Sequence, residues 1–417
     1  MALSVELTGL QAAQTDLDTI GNNIANSSTI GFKGSTPNFS DVYGASLLGA
    51  AGTGVSPGQG VLTNSLSQLF TEGSISQTGN PLDVAINGNG FFQVQTPTGI
   101  AYTRDGSLQL NSKGVLVNDT GAVVMGYAPS ASGASTASGS GAIGPIQISQ
   151  SNLSPNATTS LTMGINLPAG DAPIDTTTTP FSVTNPDSYD ESTATTIYDS
   201  LGDSRTLTTF FTQVSGSGSP AQWQTHWELS SSDGSMIASG AGATLSFNSS
   251  GVLTSGSGTI SISNLPNGAA PLSIQQSFTG TTLSDLSFEV NSLTNNGTAG
   301  GQFSGLEIGN NGSVIAQYSN GATKAVGTIA LANFVNPQGL TAVSDNEWQA
   351  SVSSGDPVIN PPGVGGLGSL ESGALEASNV DLSTSLVNLI VAQQAYQANV
   401  QGINVDQQDV QKLLQLQ

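Results

Sequence analysis

The chain has 417 residues, enough for several domains, and is 36% hydrophobic with 52 glycines, so real cores can form. Only 8% of residues are charged, against roughly 25% in an average soluble domain, and 6 Lys plus Arg against 28 Asp plus Glu leave a net charge of −22. Six scattered cations (Lys33, Arg104, Lys113, Arg205, Lys324, Lys412) cannot displace counterions from a phosphate backbone, which excludes nucleic acid as a partner. With no cysteine and one histidine, disulfides, thiolate metal sites, a cysteine nucleophile and any two-imidazole site are excluded as well.

At the N-terminus, residues 1–6 (MALSVE) carry no basic n-region or apolar h-region, so no cleaved signal peptide is expected. Leu3, Leu10, Leu17 and Ile24 then recur every seven residues, with Leu7, Ala13 and Ile20 widening the stripe, which predicts an amphipathic helix. At the other end Leu382, Leu389, Tyr396, Ile403 and Val410 repeat the spacing, with Leu386, Val400, Leu413 and Leu414 beside them. Asp381 is placed to cap this second helix. A seven-residue repeat drifts against 3.6 residues per turn and favours wrapping around a partner. The other faces hold Gln, Asn, Ser and Thr rather than Lys and Glu, as expected of helices buried among copies of themselves. Leu3, Leu7, Leu10, Leu17, Ile20, Ile24, Leu382, Leu386, Leu389, Tyr396, Val400, Ile403, Val410 and Leu413 are therefore the expected assembly interface.

Between the helices the chain reads as β. Asn-Gly or Asp-Gly pairs end at Gly88, Gly90, Gly106, Gly234, Gly268, Gly297, Gly312 and Gly321, and such pairs tolerate the positive φ of tight turns. Residues 91–95, 146–149, 206–214 and 313–318 alternate or are β-branched, as strands require. Short strands with frequent turns predict sandwiches or small barrels. The fold class is thus mixed and mainly β: terminal helices pairing into a coiled-coil-like core, with β-rich middle domains on a discontinuous chain. Ser/Gly-rich stretches at 129–144, 215–219 and 360–369 read as linkers or loops. The expected division is 1–25 with 377–417 as helical core, 26–76 with 364–376 as extended connections, 77–144 with 300–363 as an inner β-domain, and 145–299 as an outer insert.

No catalytic constellation emerges. Alternation in residues 223–227 (WQTHW) sets His226 on the strand face opposite Trp223, Thr225 and Trp227, without a nucleophile elbow to serve. Asp187, Asp190, Glu191, Asp199 and Asp203 lack the spacing of a calcium loop and read as turn formers. No enzyme activity, cofactor or metal is expected, and no apolar run reaches the ~18 residues of a membrane span.

Residues 17–26 (LDTIGNNIAN), 29–33 (TIGFK), 81–92 (PLDVAINGNGFF), 102–106 (YTRDG), 121–127 (GAVVMGY), 375–381 (LEASNVD) and 392–399 (AQQAYQAN) together resemble the rod–hook family of flagellar axial proteins. Residues 197–202 (IYDSLG), 207–211, 312–319, 329–334 and 336–340 resemble its hook-type rather than its shorter distal-rod members. The resemblance implies a structural subunit of an extracellular, bending tube that transmits motor torque from rod to filament. It implies export through the flagellum's own apparatus without a cleaved leader. The partners implied are other copies, a hook cap, the distal rod and the hook–filament junction proteins. Terminal helices without a complete partner surface are expected to be largely disordered before assembly. The alternatives are a distal-rod subunit and, from another class, a secreted β-rich adhesin.

Overall fold

A computed structural model describes residues 2–42, 60–129, 142–148, 152–215 and 221–415, with the side chains of residues 2, 3, 215, 413 and 414 left out. The low-complexity residues 130–141 and 216–219 therefore lie outside the described residues. The chain divides into two compact units: Met1–Ser149, Gly305–Ala316 and Lys324–Gln417 form the first, Gln150–Ser304 and Gln317–Thr323 the second.

In the first unit, helix α1 (Ala2–Ala25) is followed by an antiparallel ribbon of β1 (Ser35–Asp41) and β2 (Val61–Gln68), with a bulge at Asn38/Phe39. The ribbon lies within a stretch expected to be only connecting chain. It is fastened to α1 by Asn23, whose side chain bonds both the carbonyl and the amide of Ser35 at 2.7 and 2.9 Å. At the other end of α1, Thr8 Oγ1 accepts from the Val61 amide at 3.3 Å. Helix α2 (Leu382–Gln415) closes the chain. Asp381 Oδ1 accepts from the Thr384 amide at 2.6 Å, the cap predicted for this position.

The β-body of this unit interleaves strands from both halves of the sequence. Thr323–Ile329, Val123–Tyr127, Phe91–Thr96, Gly99–Thr103, Glu347–Gln349 and Thr341–Ala342 lie side by side in that order. Beneath them Phe91, Tyr102, Phe334 and Trp348 pack edge to face with Phe70 from the connecting chain, at ring distances of 4.8–6.1 Å. Of the expected strand at residues 146–149, Ser149 lies outside the described residues and 146–148 are not a strand: Gln147 makes an isolated bridge to Val115, and the strand is Ile143–Pro145 just before it. Of the linker and loop readings of residues 360–369, the structure takes the loop. Pro361, Pro362, Leu367 and Gly368 are buried, and Gly368 N donates to Asn89 O at 2.7 Å, so this stretch packs as a folded loop.

The second unit is a sandwich. One antiparallel sheet runs Glu191–Tyr198, Ser204–Ser215, Ala221–Ser230, Met236–Phe247, Leu253–Ser255. The other runs Ser257–Ile262, Leu272–Ser277, Ser160–Pro168, Thr282–Ser284, with Glu289–Asn295 also paired to Ser160–Pro168. Alternation along Ala221–Ser230 is strict, every second residue buried, so Trp223 and Trp227 join Phe211, Phe247, Phe278 and Met163 between the sheets. Two pairings are parallel, Ser160–Pro168 with Leu272–Ser277 and with Thr282–Ser284, which the turn-based reading did not anticipate.

Of the eight predicted turn glycines, Gly88, Gly90, Gly234, Gly268, Gly312 and Gly321 do take positive φ. Gly106 is needed for a different reason: a Cβ there would collide with the Val84 carbonyl, whose own amide donates to Gly106 O at 2.9 Å.

Candidate assembly interface

The two terminal helices run antiparallel. Gly9 lies against the side chain of Asn399 and Gly402 against Glu6, contacts that fix direction and register together. In that register α2 outruns α1, and residues 407–415 continue about 14 Å past its first residue. The seam on α2 is Ser385, Leu389, Ala392, Tyr396, Asn399, Ile403 and Asp406, alternating three and four residues, all buried or half-buried. This is knobs-into-holes spacing. Glycine and alanine at the contacts let the backbones approach closely.

The residues expected at an interface consequently fall into two groups. Leu10, Leu17, Ile20, Ile24, Leu389, Tyr396, Val400 and Ile403 are buried or half-buried. Leu7, Leu382, Leu386 and Val410 are exposed. The side chains of Leu3 and Leu413 lie outside the described residues. Sequence spacing missed Val387, Ile390 and Val391, which stand with Leu382 and Leu386 on the first three turns of α2, each 45–60% exposed. They are invisible to a seven-residue count because they form a second apolar stripe, turned away from the first.

The helix pair is tied to the β-body by a buried charge node. Glu376 is fully buried, with Oε1 2.5 Å from Lys33 Nζ and Oε2 2.9 Å from Arg104 Nη1. Lys33 also donates to Thr71 O at 2.7 Å, the Gly73 amide to Glu376 Oε1 at 2.9 Å, and Arg104 Nη2 to Gly88 O at 2.8 Å. Burial holds the Lys33 ammonium below its ordinary value, an effect that the adjacent Glu376 carboxylate partly reverses. Two of the chain's six cations therefore sit at one point. Three of the quoted motifs, TIGFK, YTRDG and LEASNVD, each supply one charge. Gly31 in the first of these has φ +66, and a Cβ there would meet the Arg104–Asp105 peptide at 2.8 Å. Beside the node, Asn379 accepts from the Gly34 amide at 2.9 Å and donates to Leu69 O at 2.6 Å. No sequence signal short of the tertiary fold indicates that these three charges meet.

The other candidates are structural. His226 stacks on Phe181 with ring centroids 4.0 Å apart, and burial lowers its pKa. Asp199 Oδ1 accepts from the Leu201 and Asp203 amides, each at 3.0 Å, as a turn former should, while Oδ2 pairs with Arg205 at 3.0 Å. Asp190 departs from that reading: its Oδ2 accepts from the distant Gln213 amide at 2.7 Å. Among the described residues no cluster of side chains has the makings of a metal site.

Comparison with known proteins gives a consistent result along the whole chain. The family model described as flagella basal body rod protein matches residues 3–33, and flagellar hook protein FlgE/F/G D1 domain matches residues 85–178. Flagellar basal body protein FlaE D2 domain matches residues 166–298, and flagellar basal body rod FlgEFG protein C-terminal matches residues 371–416. The chain is 38% identical to the flagellar hook protein FlgE of Escherichia coli over 421 residues, and 38% identical to that of Salmonella typhimurium over 419, covering 100% of each chain. It is 29% identical to that of Borreliella burgdorferi over 451 residues, covering 98% of both. The crystal structure of Helicobacter pylori flagellar hook protein FlgE2 shares the fold, with TM-score 0.55 at 15% identity over 72% of this chain and 100% of that one.

Proposed function

Since the chain belongs to the family of the flagellar hook protein FlgE, we propose that it polymerises into the bending tube that carries torque from rod to filament. It is a structural subunit of the flagellum's external hook. The observation that carries the assembly mechanism is the open apolar stripe Leu386, Val387, Ile390 and Val391 on a helix whose opposite face already engages α1.

Fully burying such a side chain contributes about 1.5–3 kcal/mol, so a half-exposed one has roughly 1 kcal/mol left to gain. Four of them yield roughly 4 kcal/mol, only the low end of the ~4–15 kcal/mol that association costs in lost freedom. One neighbour is therefore insufficient and several are required together. Stable growth is confined to the tip of an existing tube, where several copies converge.

The hook cap, distal rod and hook–filament junction proteins are the further partners of such a subunit, and passage through the flagellar export apparatus without a cleaved leader is its route. Flexibility resides in the inserted sandwich, whose Ser, Thr and Asn surfaces make contacts that slide at little cost. Leu153 and Gly301 are paired by two backbone bonds, Leu153 N to Gly301 O at 2.7 Å and the reverse at 3.1 Å. Residues 154–300 can therefore be replaced by a tight turn. The shortened chain should still form tubes, with altered curvature in electron micrographs; a chain unable to polymerise would make the sandwich an assembly element instead.

Deleting the gene and imaging detergent-extracted basal bodies tests the assignment. The expected result is a complete rod with no curved hook beyond it. A truncated rod would move the subunit inward to the distal rod, and intact flagella would leave the adhesin.

A further inference from the structure

We propose that the loop pair carrying Val335 and Val352 is a preformed contact knob that docks on a second copy of this chain, separately from the terminal helices; the proposal rests on the hook reading. These are the two most exposed large hydrophobic side chains among the described residues, at 88% and 103%, with Leu286 next at 69%. A single exposed valine is ordinary. Two on loops bonded to one another are not.

The rigidity is explicit. Asn336, directly after Val335, donates its amide to Ser354 O at 3.3 Å and its side chain to Ser353 O at 3.0 Å. Ser351, directly before Val352, donates its hydroxyl to Gly339 O at 2.5 Å. Its amide donates to Ser354 Oγ at 2.9 Å, closing the turn around Val352. Gly339 lies so close to the Ser353–Ser354 peptide that no side chain fits between the loops. Phe334, immediately before Val335, is buried in the aromatic cluster and anchors the loop. Both valines are thus held in place before any partner arrives, and little freedom remains to be lost on docking.

Charge identifies the partner. A chain of net charge −22 repels its own copies, so contacts between copies are least opposed where acids are absent. Residues 333–340 and 349–355 contain no charged side chain at all. A basic partner would find no acid to pair with there. An uncharged surface of Ser, Asn, Gly and apolar groups fits, and a chain with 8% charged residues presents that surface itself. The valines bury almost nothing within their own subunit, which leaves both side chains free for a contact outside it.

Because the chain lacks cysteine, Val352→Cys gives one thiol for a benzophenone maleimide. Irradiation of hooks isolated from cells should yield a covalent dimer of this chain, absent from the monomer. In parallel, purified chain carrying Val335→Ser and Val352→Ser should keep the wild-type melting temperature while its critical concentration for growth on hook seeds rises about tenfold. Unchanged seeded growth of that variant, or cross-linking to a different protein, overturns the proposal. So does a thiol as reactive in the hook as in the monomer. A wild-type chain that builds no hook sinks the hook reading and this proposal with it; normal hooks without the cross-link sink this proposal alone.

Discussion

The inserted sandwich and the terminal helix pair solve the burial of apolar surface in opposite ways. In the sandwich, Trp223, Phe211, Phe247 and Phe278 are completely enclosed by two sheets of the same unit. In the helix pair, only Ala12, Ala13, Thr19, Ile20 and Ala392 are buried among the described side chains, none of them completely, and a stripe of larger residues on α2 stays open. Both regions are poor in charge, but for different reasons. The sandwich encloses its large apolar side chains and needs only a polar exterior, whereas the helices lack charge on faces that, in the function proposed above, further copies cover. A domain that folds alone and an element that waits for partners can therefore be told apart by where their large apolar side chains end up.

Damage to the enclosed region should give the largest effects. Trp223→Ala removes a fully buried indole and should cost the sandwich about 3–5 kcal/mol, read as a lowered calorimetric transition, while the helices still polymerise. A loss under 1 kcal/mol would mean the two sheets are not locked by this core.

The charge node at Glu376 lies between the two regimes, being buried but polar. Glu376→Gln leaves Lys33 and Arg104 buried without a counter-charge and should cost about 3–5 kcal/mol in chemical denaturation. Replacing all three with Lys33→Met, Arg104→Leu and Glu376→Leu should recover most of that loss. If the triple variant is as unstable as the single one, the node contributes more than paired charge.

Changes to the open stripe should hardly register in the monomer. Ile390→Ser with Val391→Ser should alter monomer stability by less than about 0.5 kcal/mol and yet suppress polymerisation. Circular dichroism bears on the same point, since wild-type polymer should be more helical than monomer if the pair is completed only by neighbours. Equal helix content in the two states would show that α1 and α2 need no partner to order.

The smallest effect is a titration. Lys33 has a folded pKa below its ordinary 10.5, so over the window between the two values the unfolded chain binds more protons than the folded one. Stability from this group must therefore increase with pH across that window. Wild type should gain on Lys33→Met as pH rises toward 10.5, in paired denaturation curves. A constant or shrinking difference would place Lys33 in a wetter setting than its burial indicates.

Much of this architecture is legible in the residues. The seven-residue recurrence of Leu389, Tyr396 and Ile403 is a helix stripe in any context, and Asp381 before it is a cap. The alternation at Trp223, Thr225 and Trp227 names the buried face of a strand before any partner strand is known. What stayed hidden was non-local. Ile146 looked like the start of a strand because β-branched residues favour one, but the strand is Ile143–Pro145, and Ile146 follows it with single bonds to Val124 and Leu116. Residues 360–369 looked like a linker because glycine and proline are common in linkers, yet Pro361 and Leu367 had a surface to pack on.

The same division holds for the candidate interface. Periodicity found the stripe through Leu389 and Tyr396, and the tertiary structure assigned that stripe to α1 of the same chain. It left Val387, Ile390 and Val391 exposed. Local patterns record what a few neighbouring residues can do, since a helix face or strand face depends only on backbone geometry. They hold no record of which of two apolar faces is already covered, nor that Lys33, Arg104 and Glu376 meet from positions up to 343 residues apart. Those outcomes depend on distance through space, which only the folded chain defines. The sequence by itself determined the class of molecule: a charge-poor, mainly β subunit with helices at both ends. Only the tertiary structure decided which surfaces remain open to its neighbours.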